Sequence, residues 1–246
     1  MKKLLGAAAA ATAATAAFAG TASAEASFSG NVALTSDYVF RGISQSDSDI
    51  AIQGGFDYSN DIGVPIYVGA WGSSIDFGLD GTVEVDVYAG VKPVLGPVTF
   101  DIGVIGYFYP GLDSAFDADM VELKVGAGVT PAEGLSVSGA LYYSPDFTFT
   151  TGDDSGLYAE VKASYVVPGS PFTVSGAFGN QDVDVAGYYG AAGDNYTTWN
   201  IGGSVSFYGF GADLRYFDTD LDPDLVGPSG DDVSDGRVVF TLSRAL

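Results

Sequence analysis

The 246-residue chain contains no cysteine and no histidine. Without Cys there is no disulfide framework and no thiol chemistry. Without His, the Ser-His-Asp machinery, imidazole metal ligation and the commonest general base are all missing. Basic residues are scarce too: nine Lys+Arg stand against 31 Asp+Glu, a formal charge of −22. That balance argues against nucleic acid as a partner and against adsorption to anionic lipid surfaces. Beyond the N-terminal segment no run of about 18 apolar residues occurs, so no transmembrane helix is available. Yet mean hydropathy is +0.22 and 13% of the residues are aromatic, which is unusually apolar for a soluble protein. A β-barrel resolves the conflict, because each spanning strand is short and only alternate residues need be apolar.

Residues 1–24 read as a secretory signal peptide. Lys2 and Lys3 precede the uncharged stretch LLGAAAAATAATAAFAG, and Ala22-Ser23-Ala24 supplies the small-x-small cleavage pattern. Residues 25–246 are then expected to form one outer-membrane β-barrel domain, with seven basic residues left against 31 acidic ones.

From there on a period of two dominates. In SFSGNVALTSDYVF, Phe28, Val32, Leu34, Tyr38 and Phe40 fall on one face; Ser27, Ser29, Asn31, Thr35 and Asp37 fall on the other. Val83, Val85 and Val87 alternate with Glu84, Asp86 and Tyr88, and Leu157 and Val161 oppose Glu160 and Lys162. Strands that alternate charge against Val and Leu cannot be buried on both sides. Twelve strands are predicted near 27–41, 49–59, 64–76, 82–92, 97–109, 118–130, 134–144, 155–167, 171–180, 196–207, 210–218 and 236–246. Every other connection is short, at Asn60–Gly63, Pro93–Gly96, Pro131–Gly134, Pro168–Ser170 and Tyr208–Gly209. The rest are longer and acidic, such as PGLDSAFDAD, QDVDVAGYYGAAGDNY and DTDLDPDLVGPSGDDVS. Short turns on one rim and long loops on the other are the form of an antiparallel, up-and-down transmembrane barrel, with short turns and both termini periplasmic. Aromatics on the apolar face fit two interfacial girdles: Phe28, Tyr165, Phe172 and Phe207 toward the short turns; Tyr38, Phe40, Phe108, Tyr143, Phe178 and Trp199 toward the long loops.

The opposite parity gives the expected channel lining: Asp37, Arg41, Gln53, Asp57, Glu84, Asp86, Asp101, Glu122, Lys124, Glu160, Lys162, Asp213, Arg215 and Arg237. Charges of both signs can line a water-filled path or pair across it, and twelve strands lie between filled eight-stranded barrels and open porins. The cations are expected to pair with neighbouring carboxylates more than to form an anion-binding ladder. In DYVFRGISQSD, parity sends Tyr38 and Phe40 to lipid and turns Asp37 and Arg41 inward, where Arg41 pairs with nearby carboxylates and orders the mouth. The run DTDLDPDL has the spacing of a calcium loop, but Pro223 stands where Gly is needed and no Glu closes it, so it reads as a solvated acidic loop. Glu84 and Asp86 repeat a spacing found on several strands, so a lumen face explains them better than paired-carboxylate catalysis. No enzyme activity, cofactor or dedicated metal site is expected.

Several motifs resemble the TorF family of porins, outer-membrane proteins of Gram-negative bacteria. They are DYVFRGISQSD with AIQGGFDY, then IYVGAWGSSIDFG, EVDVYAG, GYFYPG and LYYSPDF in that order, with a looser likeness through DNYTTWNIGGSVSF. The resemblance implies an outer-membrane barrel with a channel role and supplies neither substrate nor catalytic residues. Such a barrel would be surrounded by outer-membrane lipid and lipopolysaccharide, be inserted by the barrel assembly machinery and pass small hydrophilic solutes. One departure is the ending FTLSRAL, where outer-membrane barrels usually finish on an aromatic residue, and Arg244 falls on the apolar face.

The expected function is therefore a narrow, mildly cation-preferring outer-membrane channel for passive diffusion of small hydrophilic solutes or ions. The alternative is a non-conducting structural or adhesive barrel with acidic external loops. A soluble secreted β-protein, with its apolar face turned inward around a ligand, is the third class, and fractionation separates it. The expected outcome is recovery from the membrane fraction with detergent; recovery as a soluble periplasmic protein without detergent refutes the membrane assignment.

Overall fold

The alternation of apolar and polar residues is realised as a single closed antiparallel sheet. The computed structural model describes residues 26–150 and 154–246, so segment 1–24, which the sequence reads as a signal peptide, lies outside them. The strands are β1 (Ser27–Thr35), β2 (Ala51–Asp61), β3 (Pro65–Ser74), β4 (Val83–Val91), β5 (Val98–Phe108) and β6 (Met120–Ala132). There follow β7 (Leu135–Ser144), β8 (Gly156–Val166), β9 (Phe172–Val183), β10 (Asn195–Phe207), β11 (Phe210–Thr219) and β12 (Arg237–Ala245). Each strand pairs with the next in sequence, and β12 returns onto β1 with Asn31 opposite Ala245 and Thr35 opposite Thr241. The two-residue segment Val94–Leu95 folds back on the start of β5. The fold is therefore an all-β, up-and-down twelve-stranded barrel. Closure satisfies the backbone groups that would otherwise lie unpaired along a sheet edge in lipid.

The connections alternate in length as the sequence predicts. Glu133-Gly134 and Tyr208-Gly209 are two-residue turns, the latter with both residues at positive φ (+48° and +81°), the mirror-image turn whose twist suits a hairpin. The start of β1 and the end of β12 lie on this same rim. Eleven strand assignments agree with the sequence to within a few residues. The first does not: β1 stops at Thr35, six residues short of the predicted end.

Outward residues are apolar and exposed, among them Phe28, Leu123, Val161, Phe178 and Ile201. Arg244 does lie on this face, where its guanidinium sits 4.6 Å from the Phe210 ring centroid and donates to the Tyr208 carbonyl at 3.2 Å. At the short-turn rim such a charge costs about 0–1 kcal/mol, because water is within reach. The buried hydrophobic cluster is at the other end. Phe77, Phe147, Tyr188, Tyr189 and Leu221 from the long loops pack with Tyr107, Met120 and Tyr196 from strand ends and with Tyr38, Phe40 and Ile43. Tyr38 and Phe40 are thus buried within the barrel at 2% and 6% exposure, which corrects their expected place in the lipid-facing girdle.

Ile201 sits at the middle of β10 and 61% of it faces outward. An Ile201→Arg substitution should destabilise the barrel by about 2–4 kcal/mol, whereas Arg244→Leu should change it by no more than about 1 kcal/mol. Denaturant unfolding in lipid vesicles measures both.

Candidate functional site

The segment between β1 and β2 folds into the barrel. Two bonds turn it inward: Ser36 N–H donates to the Phe240 carbonyl (2.9 Å) and the Thr35 hydroxyl to the Asp37 carbonyl (2.8 Å). Val39–Phe40 then pairs with Ile43–Ser44 as a miniature hairpin. Its tip is Arg41-Gly42, at φ +46° and +87°, again a mirror-image turn. A β-carbon on Gly42 would collide with the side chains of Thr198 on β10 and Thr219 on β11, so the tip presses against the wall two to three strands from β1 and glycine is required there. Asp37 anchors the base, accepting from Ser44 Oγ at 2.6 Å, Ser46 Oγ at 3.0 Å and Arg237 Nη1 at 3.1 Å.

At the tip, Arg41 Nη2 lies 2.8 and 2.9 Å from the two oxygens of Glu122 on β6, and Nη1 donates to Gln181 Oε1 on β9 at 2.7 Å. The guanidinium stands over the rings of Tyr158 (4.1 Å), Phe40 (4.4 Å) and Tyr142 (5.3 Å). Tyr196 donates to the Arg41 carbonyl at 2.9 Å, and Tyr107 to Glu122 at 2.8 Å. Arg41 therefore pairs across the barrel rather than within its own hairpin, because β1 ends before the parity argument reaches it. Beside it, Tyr38 donates to Glu84 at 2.6 Å. Above, the loops form a ring lattice, with Tyr188–Tyr189 and Tyr189–Tyr196 edge-on at 4.9 and 4.8 Å. Burial pushes the Tyr188 hydroxyl up from its ordinary value, so it stays a neutral donor, here to the Thr148 carbonyl at 2.7 Å.

Toward the short turns the interior is more open. Lys124 meets Asp101 at 2.7 Å, and Tyr67 donates to the same carboxylate at 2.7 Å. Asp57 accepts from Tyr88 at 2.7 Å, whereas Gln53, nearer the long-loop rim, donates to Ser73 at 3.3 Å. Lys162 pairs with Glu160 at 2.7 Å; Arg215 pairs with Asp213 at 3.0 Å and reaches Asn200 (2.7 Å) and Ser175 (2.8 Å). The Tyr88 ring lies against Gly69 and the Tyr67 hydroxyl against Gly90 and Gly103, where β-carbons would collide with them, so both side chains follow the wall instead of crossing the lumen. The sequence-predicted residues thus divide into two levels. Asp37, Arg41, Glu84, Asp86, Glu122 and Arg237 gather around the inserted hairpin. Gln53, Asp57, Asp101, Lys124, Lys162, Asp213 and Arg215 lie on the barrel strands, and Glu160 reaches the tip only through Tyr142 and Tyr158. Parity alone did not single out Tyr107, Tyr142, Tyr158, Tyr196 and Gln181, although each sits on the inward register of its strand. Among the described residues, no group of three or more acidic side chains is arranged to hold a metal ion.

Solved structures similar to this chain are outer-membrane barrels. The NanC porin aligns with a TM-score of 0.61 at 12% identity, covering 89% of this chain and 100% of that one. An outer-membrane channel from Pseudomonas putida F1 aligns with a TM-score of 0.51 at 12% identity, covering 93% and 97%. At such identities the likeness establishes the fold. No curated protein matches the chain in sequence. The TorF likeness rests on the quoted motifs. Residues 19–246 match the profile of a family described as bacterial protein of unknown function, and the chain belongs to that family, Gcw_chp.

Proposed function

We propose that this protein is an outer-membrane channel for passive diffusion of small hydrophilic solutes or ions, narrow and mildly cation-preferring, with the 36–50 segment as its constriction. On this reading segment 1–24 directs export, the short turns and both termini are periplasmic, and the long acidic loops face outward. The lining is the set of charged residues on the inward parity. The observation that carries the reading is the contrast between the two levels of the interior. Glu84, Asp86 and Glu122 beside the hairpin are 0%, 3% and 1% exposed, whereas the Lys124, Asp101 and Asp213 side chains keep 21%, 23% and 24% exposure and Lys162 keeps 42%. Several strand-borne charges thus keep contact with water, while the level beside the hairpin, latched by Arg41–Glu122 at its tip and Asp37–Arg237 at its base, is filled. Porin-fold neighbours and the absence of His and Cys chemistry support a channel over an enzyme. Acidic lumen residues outnumber basic ones, which supports the cation preference.

The buried aromatic cap favours a second reading, a non-conducting barrel whose acidic loops contact other surfaces. Planar-bilayer recording separates the two. The wild-type protein should give small, discrete conductance steps, and replacing residues 38–46 by a short Gly-Ser linker should enlarge them several-fold. No steps from either protein, across a range of salt, would sink the channel reading.

The latch itself makes a further prediction. Arg41→Ala leaves Glu122 buried without its cation, a loss of about 3–5 kcal/mol if the hairpin stays in place. The hairpin should therefore leave the barrel, raising conductance and exposing 36–50 to protease, while the heat-resistant mobility of the sheet on gels is retained. Gly42→Val should act in the same direction through the turn and the wall contact.

A further inference from the structure

The alternation of β1 continues in the sequence five residues beyond the point where the strand stops. Leu34, Ser36, Tyr38 and Phe40 keep the outward parity, and Asp37, Val39 and Arg41 the inward one. The wall keeps a place for this stretch. β11 pairs with β12 from Arg237, whereas β1 pairs with it from Thr241, and Ser36 adds one rung against Phe240. In an antiparallel ladder alternate residues turn their backbone groups to the same neighbour. Val238 N–H and C=O therefore point as those of Phe240 do, toward a β1 that has already turned inward. An open cleft of about 400 Å3 lies there, with Ser36, Asp37, Ser48, Gly236 and Val238 in its lining. Thr35 stands opposite Thr241 and Ser36 opposite Phe240, so the next rungs of the same register are Asp37–Val239, Tyr38–Val238 and Val39–Arg237. On the other side Thr35 stands opposite Ala51, which sets Ser36 against Ile50 and Tyr38 against Ser48.

We infer that segment 38–46 has two positions, and that the barrel opens when residues 36–40 join the wall as a continuation of β1. The inserted hairpin is the first position. In the second, 36–40 pairs with β12 on one side and draws 46–50 along as a continuation of β2 on the other. Ser36 and Asp37 are the pivot, held by Phe240 and Arg237. The movement breaks Arg41–Glu122 and gives Val238 the backbone partner that the ladder leaves room for. It also keeps aromatic surface out of water. Tyr38, Phe40 and Ile43 are 2%, 6% and 2% exposed, and a hairpin swinging out as a rigid unit would wet all three. Rejoined to β1, Tyr38 and Phe40 face outward, with Tyr38 across Val238 from Tyr216 in the interfacial girdle. The parity of the sequence thus describes the second position and the fold the first. This inference rests on the channel reading for its effect on flow, although the rearrangement itself does not need conduction.

Because the chain contains no cysteine, introduced pairs report the two positions separately. In the inserted position Tyr38 donates to Glu84 in the lumen, while Val238 is 63% exposed on the outer face. Tyr38→Cys/Val238→Cys can therefore bridge only when the segment joins the wall, where facing Cα atoms stand about 5.5 Å apart, within disulfide range. Oxidation in lipid vesicles should link 38 to 238, several-fold faster when Arg41→Ala is added, and the linked barrel should conduct several-fold more than the reduced one. Val39 and Ser44 face each other across the hairpin, so Val39→Cys/Ser44→Cys staples it and prevents 36–40 from straightening. Oxidised, this variant should keep the small conductance even with Arg41→Ala, and reduction should release it. Folded barrel is recognised in each case by its heat-resistant mobility. Failure of 38 to link to 238 in the folded Arg41→Ala protein overturns the inference. So does a stapled hairpin that opens as freely as the reduced one, since the segment then leaves as a rigid unit. A 38–238 link in a protein without conductance steps would leave the rearrangement standing and remove the channel.

Discussion

In a bilayer core no water is available to pair a backbone N–H or C=O, and each one left bare costs several kcal/mol. The return of β12 onto β1 is what removes the last open edge. Much else follows from that closure. Because the sheet is closed and pleated, alternate side chains have no choice but lipid or lumen, so a strand that carries Val161 outward must carry Glu160 and Lys162 inward. An interior built this way is polar by construction, and its charges must then be satisfied by one another, by tyrosine hydroxyls or by water.

Scarcity of cations makes that satisfaction selective. Four of the interior cations pair along the walls or at the mouth, and the fifth is delivered by a loop. Arg41 suits its place for reasons a lysine could not meet. Its planar fork bridges Glu122 and Gln181 while its face stacks on aromatic rings, so a desolvated charge keeps partners in every direction. The mirror-image turn beneath it supplies the sharp reversal, and Gly42 lets that reversal lie close against β10 and β11. Two ion pairs, Arg41–Glu122 at the tip and Asp37–Arg237 at the base, thus help to hold a hairpin in a position that the sheet itself does not require. Stability of the barrel and occupancy of its mouth are in this sense separate quantities.

The barrel was legible in the sequence because its cause is local. Period-two alternation and the long-short rhythm of connections are written residue by residue, so strand number, turn rim and inward parity all follow from SFSGNVALT or TVEVDVYAG. The inserted hairpin was not legible in the same way. Tyr38 and Phe40 continue the alternation of β1 through residue 40, and nothing in that pattern marks the departure after Thr35. The departure is made by tertiary partners, Phe240 for Ser36 and Arg237 for Asp37, which lie some two hundred residues away in sequence. A local clue was present in Arg41-Gly42, a pair suited to a tight hairpin turn, yet its direction depends on Glu122 and Gln181. Parity reached charged groups such as Glu122 and Lys124, while the tyrosines beside them, Tyr107 and Tyr142 among them, were not singled out.

The acidity of the chain also has a more specific cause than solubility. Many loop aspartates act as short acceptors for backbone N–H groups that the loops leave unpaired. Asp220 accepts from Thr197 N–H at 2.6 Å, Asp119 from Tyr109 N–H at 2.9 Å, and Asp232 from both Ser234 and Asp235 N–H at 2.8 Å. Asp47 reaches Ser229 N–H at 2.8 Å and so ties the first loop to the last, while Asp61 and Asp76 cap turns in the same manner. The run DTDLDPDL belongs to this pattern, since Asp218 caps Thr219 N–H and accepts the Tyr216 hydroxyl instead of converging with its neighbours on one point. Aspartate is favoured for such work because its carboxylate is close enough to its own backbone to cap a turn two residues on. Loops built by these caps accumulate negative charge as a by-product of ordering their backbones. The long-loop rim of the barrel is therefore acidic for the same reason that it is ordered.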